Sequence, residues 1–128
     1  MITIQIKVKW YDYWTKKYGP KQEHYSSIVG ENTKLDTDEY ESDGVFCLKV
    51  CADWKVQPKE WFKNSGGNNG IYSGANCRQY LQFWDGKKLL KEFEWKERPG
   101  KEGLLEQKIH IENWIKQCIE LSKVDKLN

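Results

Sequence analysis

The sequence predicts an α+β fold: a mostly antiparallel sheet of about five strands with one amphipathic helix at the C-terminal end packed on one face. Three observations support it. Apolar and polar residues alternate over 2–10 and again over 45–54, and apolar residues recur with a helical period over 103–122. Strand signals come first and the long helical signal last. A length of 128 residues suits one domain, so we expect residues 1–128 to form a single α+β unit.

The first half of the chain is predicted from local signals. Residues 2–10 have the period of a half-buried strand, with isoleucine, valine and tryptophan on one face. A Gly-Pro pair at 19–20 marks a turn, and residues 21–29 are predicted to return as a strand. Residues 30–43 are polar and acidic, and we expect a loop there.

The second half begins with a short predicted helix near 58–64, which a proline opens and two glycines follow. Residues 78–84 and 87–96 are predicted to pair as a hairpin, because the Asp-Gly sequence at 85–86 suits a type I′ turn. The helix over 103–122 then supplies the last layer of the fold.

Several functional classes are disfavoured by composition. No segment approaches the roughly 20 apolar residues that span a bilayer. The first residues follow a strand pattern that lacks the order of a signal peptide. We therefore expect a cytoplasmic protein with no membrane association, whose four cysteines are free thiols.

The sequence also contains no recognisable catalytic constellation. Cys47 and Cys51 lie four residues apart in a predicted strand, a separation of about 13 Å. One zinc ion cannot reach both thiols and a disulfide cannot join them. With only two histidines and no nucleotide-binding P-loop, we expect a protein that is not an enzyme and that uses no metal or cofactor.

The aromatic residues divide into two groups. Those on predicted apolar faces are expected in the core: Trp10, Trp54, Trp95 and Trp114. Others fit no such face, and exposed tryptophan and tyrosine side chains are common in binding hot spots. The cluster at the end of the first strand is therefore a candidate binding surface: Tyr11, Tyr13 and Trp14.

Two further segments are candidate binding surfaces. The acidic residues of the predicted 30–43 loop suit a basic partner: Asp36, Asp38, Glu39, Glu41 and Asp43. The glycine- and asparagine-rich segment at 66–74 offers consecutive backbone N–H groups that can hold an anion. Its candidate residues, with neighbouring side chains, are Asn68, Asn69, Tyr72 and Arg78.

These features favour a small binding protein without catalysis: an inhibitor, immunity-like or anti-defence protein of bacterial or phage type that covers a protein partner. One alternative is a domain that sequesters a small ligand or nucleotide through the glycine-rich segment. Another is a module for single-stranded nucleic acid that uses Lys7, Lys9 and Tyr11. Only two of the 21 basic residues are arginine, which disfavours dedicated nucleic-acid recognition. The sequence leaves the oligomeric state open.

Overall fold

The computed structural model describes residues 1–40, 44–60, 70–74, 77–96 and 98–127, with side chains as far as Lys123. These residues form eight strands and one helix. Their bounds are β1 Ile2–Asp12, β2 Lys17–Tyr18, β3 Gln22–Ile28, β4 Lys34–Tyr40, β5 Val45–Cys51, β6 Gly70–Tyr72, β7 Cys77–Asp85, β8 Lys88–Trp95 and α1 Lys101–Leu127. No helix in this described part of the chain is long and apolar enough to cross a membrane.

The first sheet is antiparallel and is built around β1. Strand β7 pairs with residues 2–10 of β1 on one side, and β8 lies outside β7. On the other side of β1, β3 pairs with residues 3–8 and β2 pairs with residues 11–12. The two short strands therefore follow each other along the same side of β1, and the β1–β2 hairpin extends beyond the end of β7.

The second sheet has the order β4-β5-β6 and is also antiparallel. Helix α1 contacts β4 and β5. One cluster of buried side chains includes alternate residues of β1, the core face of β5, the middle of β7 and one stripe of α1. The fully buried members from the helix are Leu104, Ile111 and Cys118.

The structure confirms a mostly antiparallel sheet structure with one C-terminal helix packed on it. The predicted number of strands was too low, and the loop predicted over 30–43 is wrong, because residues 34–40 form β4. This strand is polar because it lies at an edge of the second sheet and only Leu35 is buried. Its backbone pairing with β5 determines its structure, which a pattern of side chains does not reveal.

Two further predictions differ from the structure. Lys59 and Glu60 have 3₁₀ and not α-helical backbone geometry, while residues 61–64 of the predicted short helix lie outside the described residues. The β7–β8 hairpin is present, but its two loop residues are Gly86 and Lys87. Of these only Gly86 has positive φ, at 58°, which is the pattern of a type II′ turn.

The core prediction was wrong for two of the four tryptophans. Trp95 is buried, and Trp114 packs partly buried against the core. In contrast, Trp10 is 51% exposed and Trp54 is 48% exposed. Trp10 is opposite the first residue of β7, where the sheet ends, and Trp54 follows β5 in a turn. The alternation of apolar and polar residues in the sequence therefore extends beyond the parts of β1 and β5 that other elements cover.

Gly70 is required for the pairing of β5 with β6. A methyl group at this position would overlap Sγ of the buried Cys47 and lie 3.4 Å from the Leu48 carbonyl oxygen. We expect Gly70→Ala to lower the free energy of unfolding by about 1–3 kcal/mol, the usual cost of overpacking. Urea denaturation measures the change.

A double-mutant cycle tests the cause of that loss. If the Cys47 thiol is the obstacle, adding Cys47→Ala to Gly70→Ala restores part of the lost stability, whereas Cys47→Ala alone is destabilising. Purely additive effects of the two substitutions would contradict this explanation.

Candidate functional site: the aromatic tip of the first hairpin

Asp12 holds the turn between β1 and β2. Its Oδ1 accepts the backbone N–H of Trp14 at 2.9 Å and that of Thr15 at 3.4 Å. Its carbonyl oxygen accepts the N–H of Lys16 at 2.8 Å. Lys16 itself has φ of 56°, in the left-handed region that reverses the chain into β2. The shape of the turn therefore depends on backbone contacts and on Asp12.

The side chains presented by this hairpin form the aromatic tip, which we define as Trp10, Tyr11, Tyr13, Trp14 and Tyr18. Trp14 is 97% exposed and Tyr13 is 67% exposed. Tyr11 is half-buried and makes edge-to-face contacts with Tyr13 and Tyr18, at ring-centroid distances of 4.9 and 5.3 Å. Tyr11, Tyr13 and Tyr18 therefore form a ring cluster within the tip, and Trp14 projects almost entirely into solvent.

Positive charge surrounds the aromatic tip. Lys16 and Lys17 are exposed in the hairpin, and the only acidic residue of the turn is Asp12. The Arg78 guanidinium lies over the Tyr18 ring at 4.2 Å, which ties β7 to β2. A partner that accepts these rings would gain further from acidic groups around its apolar contact.

The outer face of the first sheet is a layer of cations over aromatic rings. Lys7 Nζ lies 5.3 Å from the Trp84 ring centroid. Lys9 and Lys21 lie over Tyr80, at 5.8 and 4.2 Å. Tyr80 is buried beneath them. These cations cover rings of the protein itself, so stacking of a base on Tyr80 would first require their displacement.

Acidic and amide groups complete the same layer. Glu92 accepts from Lys21 at 3.3 Å and from the Gln82 amide at 2.7 Å. The side-chain oxygen Oε1 of Gln82 accepts the Trp84 indole N–H at 2.9 Å. Within this layer Glu92 offsets the charge of Lys21, and the side-chain amide of Gln82 bonds both Glu92 and the Trp84 indole.

The structure places three of the five acidic candidates on β4. Asp36 accepts the Cys51 thiol at 3.2 Å and lies 3.8 Å from Lys34. Glu39 pairs with Lys101 of α1 at 3.0 Å, and Asp38 is exposed. Glu41 and Asp43 lie outside the described residues. Internal pairing therefore occupies two of these three carboxylates.

The candidates for an anion site are not brought together. Asn68 and Asn69 lie outside the described residues. Tyr72 belongs to the second sheet and contacts Cys47, and burial together with this contact raises the pKa of Tyr72. Arg78 belongs to the first sheet and stacks on Tyr18. The two described side chains thus have different neighbours.

All four cysteines are free thiols, and three are buried. Burial raises the pKa of Cys47 and of Cys77, and that of Cys118 to about 11. Burial and the hydrogen bond to Asp36 raise the pKa of Cys51. Reactive cysteines have lowered pKa values, because the thiolate is the nucleophile. Among the described residues, no cluster of three or more His, Cys, Asp or Glu could hold a metal ion.

The binding candidates chosen from the sequence include three residues of the aromatic tip, Tyr11, Tyr13 and Trp14, and leave out Trp10 and Tyr18. Trp10 was assigned to the core by alternation, and Tyr18 and Lys16 were not singled out. The run of aromatic residues on both faces of the chain after Val8 was the available signal, because a strand with apolar side chains on both faces has left the pattern of a half-buried sheet.

Comparison with known proteins gives no family for this arrangement. No protein-family model, curated protein or solved structure matches the chain.

Proposed function

We propose that this protein is a non-catalytic binding protein, of the inhibitor, immunity-like or anti-defence class, that covers a partner protein by inserting the aromatic tip. The observation that carries this proposal is the 97% exposure of Trp14 on a hydrogen-bonded turn. A large indole in water gains nothing for the fold, since only buried apolar area is stabilising. Its burial in a partner would make it a binding anchor.

The turn lowers the cost of that binding. Association must order the groups that make the contact, at about 0.5–1.5 kcal/mol for each mobile side chain, with further cost for a mobile backbone. Asp12 already fixes the backbone at Trp14 and Thr15. Tyr11 and Tyr13 support each other through their ring contact. The backbone of the turn is therefore ordered before the partner arrives, and binding has to order the Trp14 side chain.

The charges around the tip define the partner further. Lys16 and Lys17 flank the rings, so the complementary surface is an apolar pocket with acidic groups at its rim. Such charges mainly raise the association rate and weaken with salt, while the buried indole sets the dissociation rate. Binding through the tip is thus expected to tolerate salt better than purely electrostatic binding.

The test is affinity capture from cells of the source organism, with the wild-type protein and Trp14→Ala immobilised in parallel. We expect a specific protein that the wild type retains, and a loss in affinity of about 30-fold or more with the variant, because a hot spot contributes at least about 2 kcal/mol. Trp54→Ala is the matched control, since it removes a half-exposed tryptophan outside the tip. Calorimetry with the purified partner measures the affinities.

Two results would contradict the proposal. One is equal retention of the partner by the wild type and Trp14→Ala. The other is binding of single-stranded oligonucleotides that weakens steeply with salt and depends on Lys7 and Lys9, which would favour the nucleic-acid alternative. A thermal shift with small anions that depends on Tyr72 or Arg78 would instead favour the ligand-sequestering alternative.

A further inference from the structure

A groove runs between β8 and α1, away from the aromatic tip. Its volume is about 590 Å³. One wall is the segment 91–95 of β8, and the other wall consists of residues spaced along one side of the helix: Gln107, His110, Asn113, Trp114 and Gln117. Within the described residues β8 pairs only with β7, so its other edge has no strand partner.

The lining shows that this groove follows the edge of the strand. Phe93 and Trp95 point to the core face of the sheet, whereas Glu92 and Glu94 point to the outer face. Side chains from both faces can border one groove only along the edge between them. The backbone N–H and C=O groups that β8 directs away from β7 therefore lie along the groove.

The edge is regular where the groove lies. A bulge interrupts the β7–β8 pairing between Phe83 and Trp84, and residues 91–95 pair in an unbroken register with residues 79–83. Bulges commonly protect a sheet edge from further pairing. Here the interrupted part lies toward the hairpin turn, and the unbroken part, roughly 17 Å long, borders the groove.

We propose that this groove binds an extended segment of another protein, which adds to β8 as a further strand. A peptide backbone is the one ligand whose hydrogen-bonding groups match an unpaired strand edge. Beside His110, the helix wall supplies neutral amides from Gln107, Asn113 and Gln117, which can bond to a peptide backbone.

The two faces of β8 define the sequence of that segment. Two alternate residues of an added strand would lie beside Phe93 and Trp95, which favours apolar side chains there. Lys91 shares this face, and its Nζ lies 5.4 Å from the Phe93 ring centroid. The residue between them would lie beside the exposed Glu94, which favours lysine or arginine, whereas the Glu92 carboxylate already bonds Lys21 and Gln82. The structure thus assigns to the groove a segment in which apolar and basic residues alternate. This inference is independent of the aromatic tip.

The test uses a synthetic heptapeptide, Lys-Val-Lys-Val-Lys-Val-Lys with blocked ends, and a control peptide of the same composition with its valines consecutive. We expect the alternating peptide to bind the full-length protein and to slow hydrogen exchange of alternate amides within residues 91–95. The control peptide is expected to bind about tenfold more weakly, because its side chains cannot alternate between the two faces. Trp14→Ala should bind the alternating peptide as the wild type does.

Matched substitutions on α1 locate the site. Asn113→Trp places a bulky ring in the groove, and we expect it to weaken peptide binding about tenfold or more. Lys116→Trp adds the same ring at an exposed helix position that does not line the groove and should leave binding unchanged. Glu94→Lys should weaken binding of the basic peptide. Far-UV circular dichroism verifies that each variant is folded.

Four outcomes would overturn the inference. The first three are absence of binding at millimolar peptide, equal binding to Asn113→Trp and Lys116→Trp, and protection that falls outside residues 91–95. A free protein that is already dimeric, with its β8 amides protected in the dimer and exposed on dilution, would also overturn it, because the occupant would then be a second copy of the chain.

Discussion

Replacing Phe83 by alanine is expected to lower the free energy of unfolding by about 3–5 kcal/mol, the largest single effect on stability that we predict. Phe83 is fully buried in β7. Its ring makes edge-to-face contacts with Phe93 of β8 and Trp114 of α1, at centroid distances of 6.3 and 6.2 Å. The substitution therefore opens a cavity where two strands and the helix meet. Because small domains are stable by about 5–15 kcal/mol, this one loss takes much of the margin.

Urea denaturation, followed by circular dichroism, measures this loss. Phe83→Leu keeps most of the volume and should cost less than half as much. Trp14→Ala is the matched surface control, and we expect its free energy of unfolding to change by no more than about 0.5 kcal/mol. A loss below about 1 kcal/mol for Phe83→Ala would show that the ring does not hold the helix against the sheet.

The second large effect is expected at Asp53, which is 4% exposed and connects two turns. Its carboxylate accepts the backbone N–H of Asn32 at 3.0 Å and that of Lys55 at 3.1 Å. Its carbonyl oxygen accepts from the Gln57 amide, which also bonds both backbone groups of Ile28. We expect Asp53→Ala to lower the free energy of unfolding by about 2–4 kcal/mol, because two charge-assisted hydrogen bonds are lost.

The pH dependence separates the charge of Asp53 from its shape. Burial raises the pKa of this carboxyl, but the hydrogen bonds from Asn32 and Lys55 outweigh burial and hold its pKa below the ordinary 3.8. Its charged form therefore stabilises the fold above pH 3.8, and this contribution is lost as the pH falls through the lowered pKa of the folded state. Asp53→Asn keeps the shape and loses the charge. The stability difference between wild type and Asp53→Asn should be constant near neutral pH and should shrink below pH 3.8.

A stability difference that does not change between pH 7 and pH 2.5 would contradict this account. Gln57→Ala offers an independent measurement on the same connection, since it removes the bonds to Ile28 without altering charge. We expect it to be destabilising at both pH values.

The sequence predicted those elements whose signals are local. The alternation over 2–10 and the helical period over 103–122 identify β1 and α1, because the burial of one face imposes each period. Strand β4 was missed because an edge strand with Asp36, Asp38 and Glu39 on its surface shows no apolar period. The division into two sheets depends on pairing between distant segments, which no local pattern encodes.

The candidate site was predictable to a similar degree. Tyr13 and Trp14 could be chosen from the sequence because they fit no apolar face. In the structure both side chains are exposed. The support around them was not predictable, since the contact of Tyr11 with Tyr18 depends on the closing of the hairpin. The pairing of Glu39 with Lys101 likewise joins residues far apart in the chain, and it removes a charge that the sequence assigned to an open acidic surface.

The way in which Asp12 holds the hairpin has a consequence for how the protein could acquire new partners. The carboxylate bonds to backbone N–H groups, and these are present whatever side chains occupy positions 13 and 14. The identity of the two most exposed rings can therefore change while the turn and the core stay the same. If the aromatic tip binds a partner as proposed, the residues that set specificity are separate from those that hold the turn, and such a hairpin can exchange its recognition residues on a constant scaffold.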